Sequence, residues 1–448
     1  MHENILEIHY SLDGTHSFLT KVLYPAGVLA AFEAKFAEPG TTGAARHAVG
    51  SFPHRLYSLI ALIEGQKFVA VFPRTYDVSV IAEGLTESAL VFFNLVAERA
   101  WSQHAFENEV HDYHGPEFLI DGQPAAQSPR LRTGSAALPL PRSAWRRASD
   151  GTDSDVGGGI LCSNGGGKDS FLAITLLEEA GFPVHVFQHS RSEYGSHQHQ
   201  HAIQHSFFPH VKSLREGTAR CHEISIYDDF TDGCIMALLN PKLKGEAILG
   251  HPCQVGWPEL GIESLPFTLL HGYGGFALGN ERSADSAQVS HSTLDGGREV
   301  NHQWLKSFEA CTTLRLFLRG SVAESLEIFS ALKPLHDYRI YRLVQRYPHV
   351  LPAIHSCNIV KPWCRRCPKC AYVWINLCAI FGEDKLRPIF HGQTATATAR
   401  QALGPAALSA SQSINGCNGP CSDSCCVCSS ACPCPLPRPR PPPRREPA

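Results

Sequence analysis

The stretch that most constrains this chain is "LCSNGGGKDSFLAITLLEEAG", Leu161 to Gly181. Three consecutive glycines and the pair Lys168–Asp169 separate a short apolar run from an apolar-periodic segment. Ile160–Cys162 can end a buried strand. Ser170–Ala180 predicts a helix with Phe171, Ile174 and Leu177 on one stripe and Gly181 as its stop. Phe182–Phe187, "FPVHVF", predicts the next strand. Strand, loop, helix and strand in this order belong to an α/β sheet with crossover connections. The glycines then lie at a helix N-terminus, where backbone N–H groups and the helix dipole favour an anion.

Two familiar phosphate loops fail on detail. A Walker A loop places Ser or Thr directly after Gly-Lys to hold magnesium, whereas here Asp169 follows Lys168; the spacing Gly-x-Gly-x-x-Gly of a dinucleotide fingerprint is broken at Lys168–Ser170. "NGGGKDS" instead resembles the Ser-Gly-Gly-x-Asp-Ser signature of the PP-loop ATP pyrophosphatases. Gly166, Gly167, Lys168, Asp169 and Ser170 fall in register, and Gly165 stands at the usual serine. The resemblance implies that Gly165 to Ser170 bind ATP by its β,γ-pyrophosphate, with Lys168 neutralising charge. Chemistry then falls at the α-phosphate and leaves an adenylated substrate. Because Gly165 removes a hydroxyl donor, Ser163 or Asn164 is expected to replace it. A glycine turn without a ligand, or an ATP sensor that never turns over, are the alternatives.

"SCNIVKPWCRRCPKC" spaces Cys357, Cys364, Cys367 and Cys370 as C-x6-C-x2-C-x2-C, which lets four thiolates close around one tetrahedral ion. Structural zinc is the preferred occupant, although an iron–sulfur cluster uses similar ligands and unliganded thiols are the plain alternative. Arg365, Arg366 and Lys369 would offset the charge of four thiolates. Of the 17 cysteines, seven crowd into the last stretch of the chain, and the ten in the body are expected to be thiols or ligands of a reducing compartment.

The organisation follows composition. Residues 1–121 alternate strand-like runs ("KFVAVFP", "EFLIDG") with the helical pattern "TESALVFFNLVAERAWSQHAF" and predict an N-terminal α/β domain. Residues 122–159, rich in Pro, Ser, Arg and Gly, predict a linker or long loop. Residues 160–393 predict an α/β nucleotide-binding domain with a doubly wound, mainly parallel sheet. Residues 394–448, Cys/Pro-rich, predict a disordered tail. "GSHQHQHAIQH", with His197, His199, His201 and His205, predicts a polar loop at a pocket rim rather than a metal site. "EYGSH" is expected where the sheet opens its ligand crevice. No leader pattern and no run of about 18 apolar residues is present, so a cytoplasmic chain is expected. A formal charge of -3 argues against nucleic acid as the main partner.

"NGGGKDS", "ALGNERSAD", "EVNHQW" and "SCNIVKPWCRRCPKC", in that order, resemble the MurL family of UDP-N-acetylmuramoyl-L-alanyl-L-glutamate epimerases. The resemblance spans about Ile160 to Phe390. It implies ATP and Mg2+ as cofactors, UDP-MurNAc-L-Ala-L-Glu as substrate, and inversion of the terminal L-Glu with release of AMP and pyrophosphate. It also implies catalytic roles for Lys168 and Asp169 of the ATP-binding loop and substrate or proton-transfer roles for Glu281, Arg282 and His302. The acid and base of the inversion stay unassigned, as does the oligomeric state. A nucleobase-modifying PP-loop enzyme of the cyano-deazaguanine synthase kind is the rival, since it too follows its loop with a zinc-binding cysteine cluster. Transfer-RNA thiolation ranks below it, and a nucleotide-sensing module whose zinc cluster docks a partner is the alternative that is not an enzyme.

Overall fold

A computed structural model describes residues 4–12, 14–37, 48–110, 112–133, 137–138, 158–232, 257–286, 289–290, 299–301, 303–357, 363–365 and 367–390. His302, much of the expected linker and the expected tail lie outside the described residues.

Seven strands form the main sheet: β1 Ile5–Leu12, β2 His16–Leu23, β3 Ile160–Ser163, β4 Val184–Arg191, β5 Cys221–Asp228, β6 Gly275–Leu278 and β7 Glu327–Ser330. Their spatial order is β1-β2-β5-β4-β3-β6-β7. The five strands from β5 to β7 are parallel, as the helical crossovers require. β2 then pairs antiparallel with β5, and β1 antiparallel with β2. The sheet is therefore mixed: its five-strand part is parallel, in keeping with the mainly parallel α/β sheet expected, and β1 and β2 add an antiparallel edge that the sequence reading did not include. The physical reason is local: a short turn through Gly14, at φ +70°, joins β1 to β2, and strands joined so closely can only be antiparallel.

Alternate residues of the parallel strands enter two apolar clusters, one on each face. Leu161, Phe187 and Phe276 pack on one side; Ile160, Cys162, Val186 and Ala277 pack on the other. Parallel strands buried on both faces read as continuous apolar runs, which is how "ILCS" and "GFAL" look. The first face is covered by α1 Phe52–Glu64, which a Ser51 cap starts, and by α2 Glu87–Ala100. The second is covered by α3 Lys168–Glu179, which places Phe171, Ile174 and Leu177 in the core as the stripe predicts. The first 121 residues thus contribute two strands to the sheet, and the helices Val28–Phe36, α1 and α2 to the core, that the segment from residue 160 also builds.

Two local expectations fail. "KFVAVFP" is not a strand: Gly65–Val71 is a 3-10 helix, buried from Gly65 to Ala70. A short unbroken apolar run carries no period, and here burial of the Lys67 side chain against Thr20 and Asp228 selects the helix. "GSHQHQHAIQH" is not a loop: it forms α4, His197–His205, with the Ser196 side chain accepting from the backbone N–H of His199.

Candidate functional site

The glycine loop lies where strand order reverses. From β3 the chain runs outward through β4 and β5 on one side, and β6 and β7 stand on the other, the arrangement at which open α/β sheets carry ligand crevices. Within the loop, Asn164 Oδ1 accepts from the Gly166 N–H at 3.0 Å, and Ser170 Oγ accepts from the Gly165 N–H at 3.0 Å. Asn164 is thus spent inside the loop, its amide also donating to Gln204 O at 3.1 Å. Gly167 is the N-cap of α3, with no side chain capping the helix N–H groups, and a twelve-residue helix with an uncapped start favours an anion.

Glycine is required at two points here. Gly166 sits at φ +80°, and a Cβ there would overlap the His355 ring, whose own backbone N–H donates to Gly166 O at 3.0 Å. A Cβ on Gly279, just past β6, would lie 2.7 Å from the backbone of Asp169, so glycine lets the two crevice walls meet. His355 is buried, and nothing in the sequence near it marks a loop contact.

Lys168 is buried and fully engaged. Its ammonium lies 2.8 Å from Asp169 Oδ1 and 2.7 Å from Asp337 Oδ1, and 4.6 Å from the centre of the Tyr341 ring. Burial works against the charge, but Asp169 and Asp337 overcome it and raise the pKa above the ordinary lysine value. Asp337 opens the helix Asp337–Val344 and accepts from the Tyr372 hydroxyl, which belongs to the helix Pro368–Phe381. Glu281 acts on the same group, since its charge, with those of Asp337 and Asp169, helps burial raise the Tyr341 phenol. Arg282 is exposed at the start of a 3-10 helix, Arg282–Asp285. Lys369 is drawn into this region rather than to the thiols: burial, then Lys306 and Lys168, lower its pKa.

The four predicted cysteines converge. Cys357, Cys364, Cys367 and Cys370 bring their sulfurs within 4.8 Å of one another, with Cys357–Cys367 and Cys364–Cys370 both at 3.9 Å. Tetrahedral zinc with Zn–S near 2.3 Å needs sulfurs about 3.8 Å apart, so the set fits that ion. Backbone N–H groups of Cys364 and Cys370 donate to Cys357 and Cys367 sulfurs at 3.3 and 3.4 Å. Burial raises the Cys367 thiol, and a bound cation would reverse that shift.

Sequence reasoning missed a second centre. A cavity of about 140 Å³ adjoins the loop, lined among others by Gly165, His189, Arg191, Tyr194, Gln200 and His355. Tyr194 comes from "EYGSH" and Gln200 from the histidine-rich helix, so both stretches reach the crevice. Behind the cavity lies a buried charge group. Arg191 stands 3.4 Å from Glu64 and 3.6 Å from Asp228, Lys67 pairs with Asp228, and His189 Nε2 lies 3.2 Å from Glu263. Burial opposes ionisation of Glu64, yet Arg191, Glu263 and Lys67 hold its pKa at about 2. Burial and Glu64 push Glu263 well above the carboxylate range. Burial, helped by Arg191, pulls His189 down to about 3, so its imidazole is neutral at physiological pH.

Among the described residues no helix is long and apolar enough to cross a membrane. The family model described as MurL N-terminal domain matches residues 262–331, a stretch that holds β6 and β7 and ends short of the cysteine cluster. The UDP-N-acetyl-alpha-D-muramoyl-L-alanyl-L-glutamate epimerase of Salinispora tropica is 30% identical over 132 residues, 28% of each chain. That of Xanthomonas oryzae pv. oryzae is 32% identical over 149 residues, 31% of this chain and 32% of the relative. The matched stretch spans under a third of the length of these curated relatives. No solved structure matches the chain. The comparisons bear out the resemblance to the MurL family read from the motifs.

Proposed function

We propose, from the likeness to MurL epimerases, that the chain is an ATP-dependent epimerase of UDP-MurNAc-L-Ala-L-Glu. It converts the terminal L-Glu to D-Glu through an acyl-adenylate and releases AMP and pyrophosphate. The observation that supports this best is the glycine loop at an uncapped helix start, at the reversal of strand order, beside a cavity lined by Arg191 and His189.

The chemistry explains why ATP is cleaved. The glutamyl amine is locked in a peptide bond, so no Schiff base to pyridoxal phosphate can form. An ionised α-carboxylate also resists a second negative charge on the neighbouring carbon. Adenylation removes the carboxylate charge and acidifies the α-proton, so that a base on one face and an acid on the other can invert the centre before hydrolysis. In this reading Gly165 to Ser170 grip the leaving pyrophosphate. Asp169 and Asp337 offer hard oxygen donors that would hold Mg2+, which would supply neutralisation of phosphate charge there. The cysteine site holds zinc and supports the fold.

The test is to incubate the protein with the precursor, ATP and Mg2+ in deuterium oxide. α-Deuteration of the glutamate together with AMP is expected, and the Asp169→Asn protein should yield neither. Absence of both from the wild type would overturn the reading. A nucleobase acid turned over in place of the peptide would install the rival enzyme.

A further inference from the structure

We propose that His205, Cys221 and Glu223 form a second metal site, for Zn2+, where the end of α4 meets the start of β5. The site shares no ligand with the four-cysteine cluster and does not depend on the epimerase reading.

The fold brings the three residues together from separate elements. Cys221 and Glu223 are the first and third residues of β5, so their side chains leave the same face of the sheet. That face is the one α4 covers. The register sets Gln188 beside Glu223 and Ser190 beside Ser225, and His201 Nε2 lies 2.9 Å from Ser190 Oγ and 3.1 Å from Ser225 Oγ. His205 follows His201 by four residues, about one helical turn, and so meets the strand two residues nearer its start. There its Nε2 is hydrogen-bonded to Glu223 Oε1. His201 is engaged by the two hydroxyls and by Gln204 Oε1 at 3.1 Å, which leaves His205 as the imidazole for an ion.

The spacing suits zinc. The Cys221 sulfur stands 3.9 Å from Glu223 Oε1, and the three ligand atoms all lie within 4.8 Å of one another. Tetrahedral zinc sets a sulfur and an oxygen ligand about 3.6 Å apart, from a Zn–S bond of about 2.3 Å and a Zn–O bond of about 2.1 Å. His205 and Glu223 are partly exposed, so they can part as the ion replaces the hydrogen between them. The neutral imidazole then carries its hydrogen on Nδ1.

The donor set selects the ion. A thiolate and an imidazole with one carboxylate suit Zn2+, whereas Mg2+ and Ca2+ take oxygen ligands. Three protein ligands leave one position of the tetrahedron open, unlike a closed four-thiol site. A separate observation supports a ligand here. Gln188 is fully buried beside Glu223 in the sheet, and neither its Nε2 nor its Oε1 has a hydrogen-bond partner among the described residues. A buried amide without partners is costly, and its oxygen is a donor for the ion or for a water upon it. The Phe208 ring, 4.5 Å from the His205 ring, covers another side. The ion clips the end of α4 to β5. Gln204, the residue before His205, accepts from the Asn164 amide of the glycine loop at 3.1 Å, so the clip bears on that loop.

Alkylation of the full, metal-stripped chain, read peptide by peptide in the mass spectrometer, isolates this thiol from the other cysteines. Zn2+ raised into the micromolar range should slow labelling of Cys221 about tenfold or more, as an occupancy of about nine-tenths implies, and Mg2+ should not. His205→Gln and Glu223→Gln each remove a ligand and should raise the Zn2+ concentration for half-protection about tenfold or more. Labelling of Cys221 at one rate with and without Zn2+, or half-protection at the wild-type concentration in both variants, would overturn the site. If the variants fail to fold, or Cys221 resists the reagent, cadmium NMR of the Cd2+-loaded wild type decides. A resonance upfield of the four-thiolate range is expected for a ligand set with one sulfur, and its absence overturns the site.

Discussion

Gly166→Ala tests the loop most directly. Two costs arise at this position, and a second glycine isolates one of them. Gly166 lies at φ +80°, where an L-residue costs about 1–2 kcal/mol. Its new Cβ would also overlap the buried His355 ring, and overpacking of a filled site costs about 1–3 kcal/mol. The ring has little room to retreat, because the His355 backbone N–H is bonded to Gly166 O. The sum is a loss of roughly 2–5 kcal/mol. Gly181, just past the end of α3, has φ +84°, and a Cβ added there would meet nothing within 4 Å, so Gly181→Ala carries the backbone cost alone, about 1–2 kcal/mol. Urea unfolding at a shared m-value measures both variants. Adding His355→Ala should recover the steric part, a coupling of about 1–3 kcal/mol in a double-mutant cycle. A Gly166→Ala loss within about 0.5 kcal/mol of the Gly181→Ala loss, or a cycle with no coupling, would refute the packing of His355 on the loop.

The remaining predictions concern buried charge and the thiols. His185, His189 and His222 have pKa values lowered by burial to about 4, 3 and 3. Each therefore contributes stability above the unfolded value near 6.5 that is lost as pH falls toward the folded value. Between about pH 6 and 4 the unfolding free energy should drop by about 4 kcal/mol per pH unit, and denaturation series at stepped pH would show a flat profile if these imidazoles were exposed. Lys67→Met leaves Asp228 buried without its main partner and should cost about 3–5 kcal/mol, most of it recovered by adding Asp228→Asn, as read from denaturant midpoints. Elemental analysis should find zinc bound in a one-to-one ratio and Cys367→Ser should lose it, with a lower Tm. Full metal content in that variant would remove the four-thiol site.

What was legible in the sequence was local. The glycine loop shows itself because the residues before it form a buried strand and those after it repeat at helical spacing, all within twenty-one positions. The cysteines show themselves because C-x2-C steps leave few other uses. The histidine-rich helix escaped because its buried face is polar: Gln200, His201 and Gln204 point inward, and hydrophobic periodicity cannot register such a face. "KFVAVFP" escaped for the reason given by its length, since a short apolar run suits a strand or a buried helix equally. The charge group behind the cavity was beyond reach of any local pattern. Glu64 and Arg191 are 127 residues apart and Lys67 and Asp228 are 161 apart, and only the folded sheet brings them together.

The cysteine site is connected to the glycine loop through its neighbours, although a closed four-thiol site catalyses nothing itself. Cys357 follows His355 by two residues, so an ion bound there anchors the segment whose backbone and ring press on Gly166. Cys367 caps the helix that carries Tyr372, which holds Asp337, which holds Lys168. The two connections reach the glycine loop from different sides, one at its glycine backbone and one at Lys168. A loop of three glycines has high conformational entropy of its own, and a lysine set between two carboxylates has more than one low-energy arrangement. Under the proposed function, bracing by a segment that an ion would hold would lower both kinds of freedom before ATP bound.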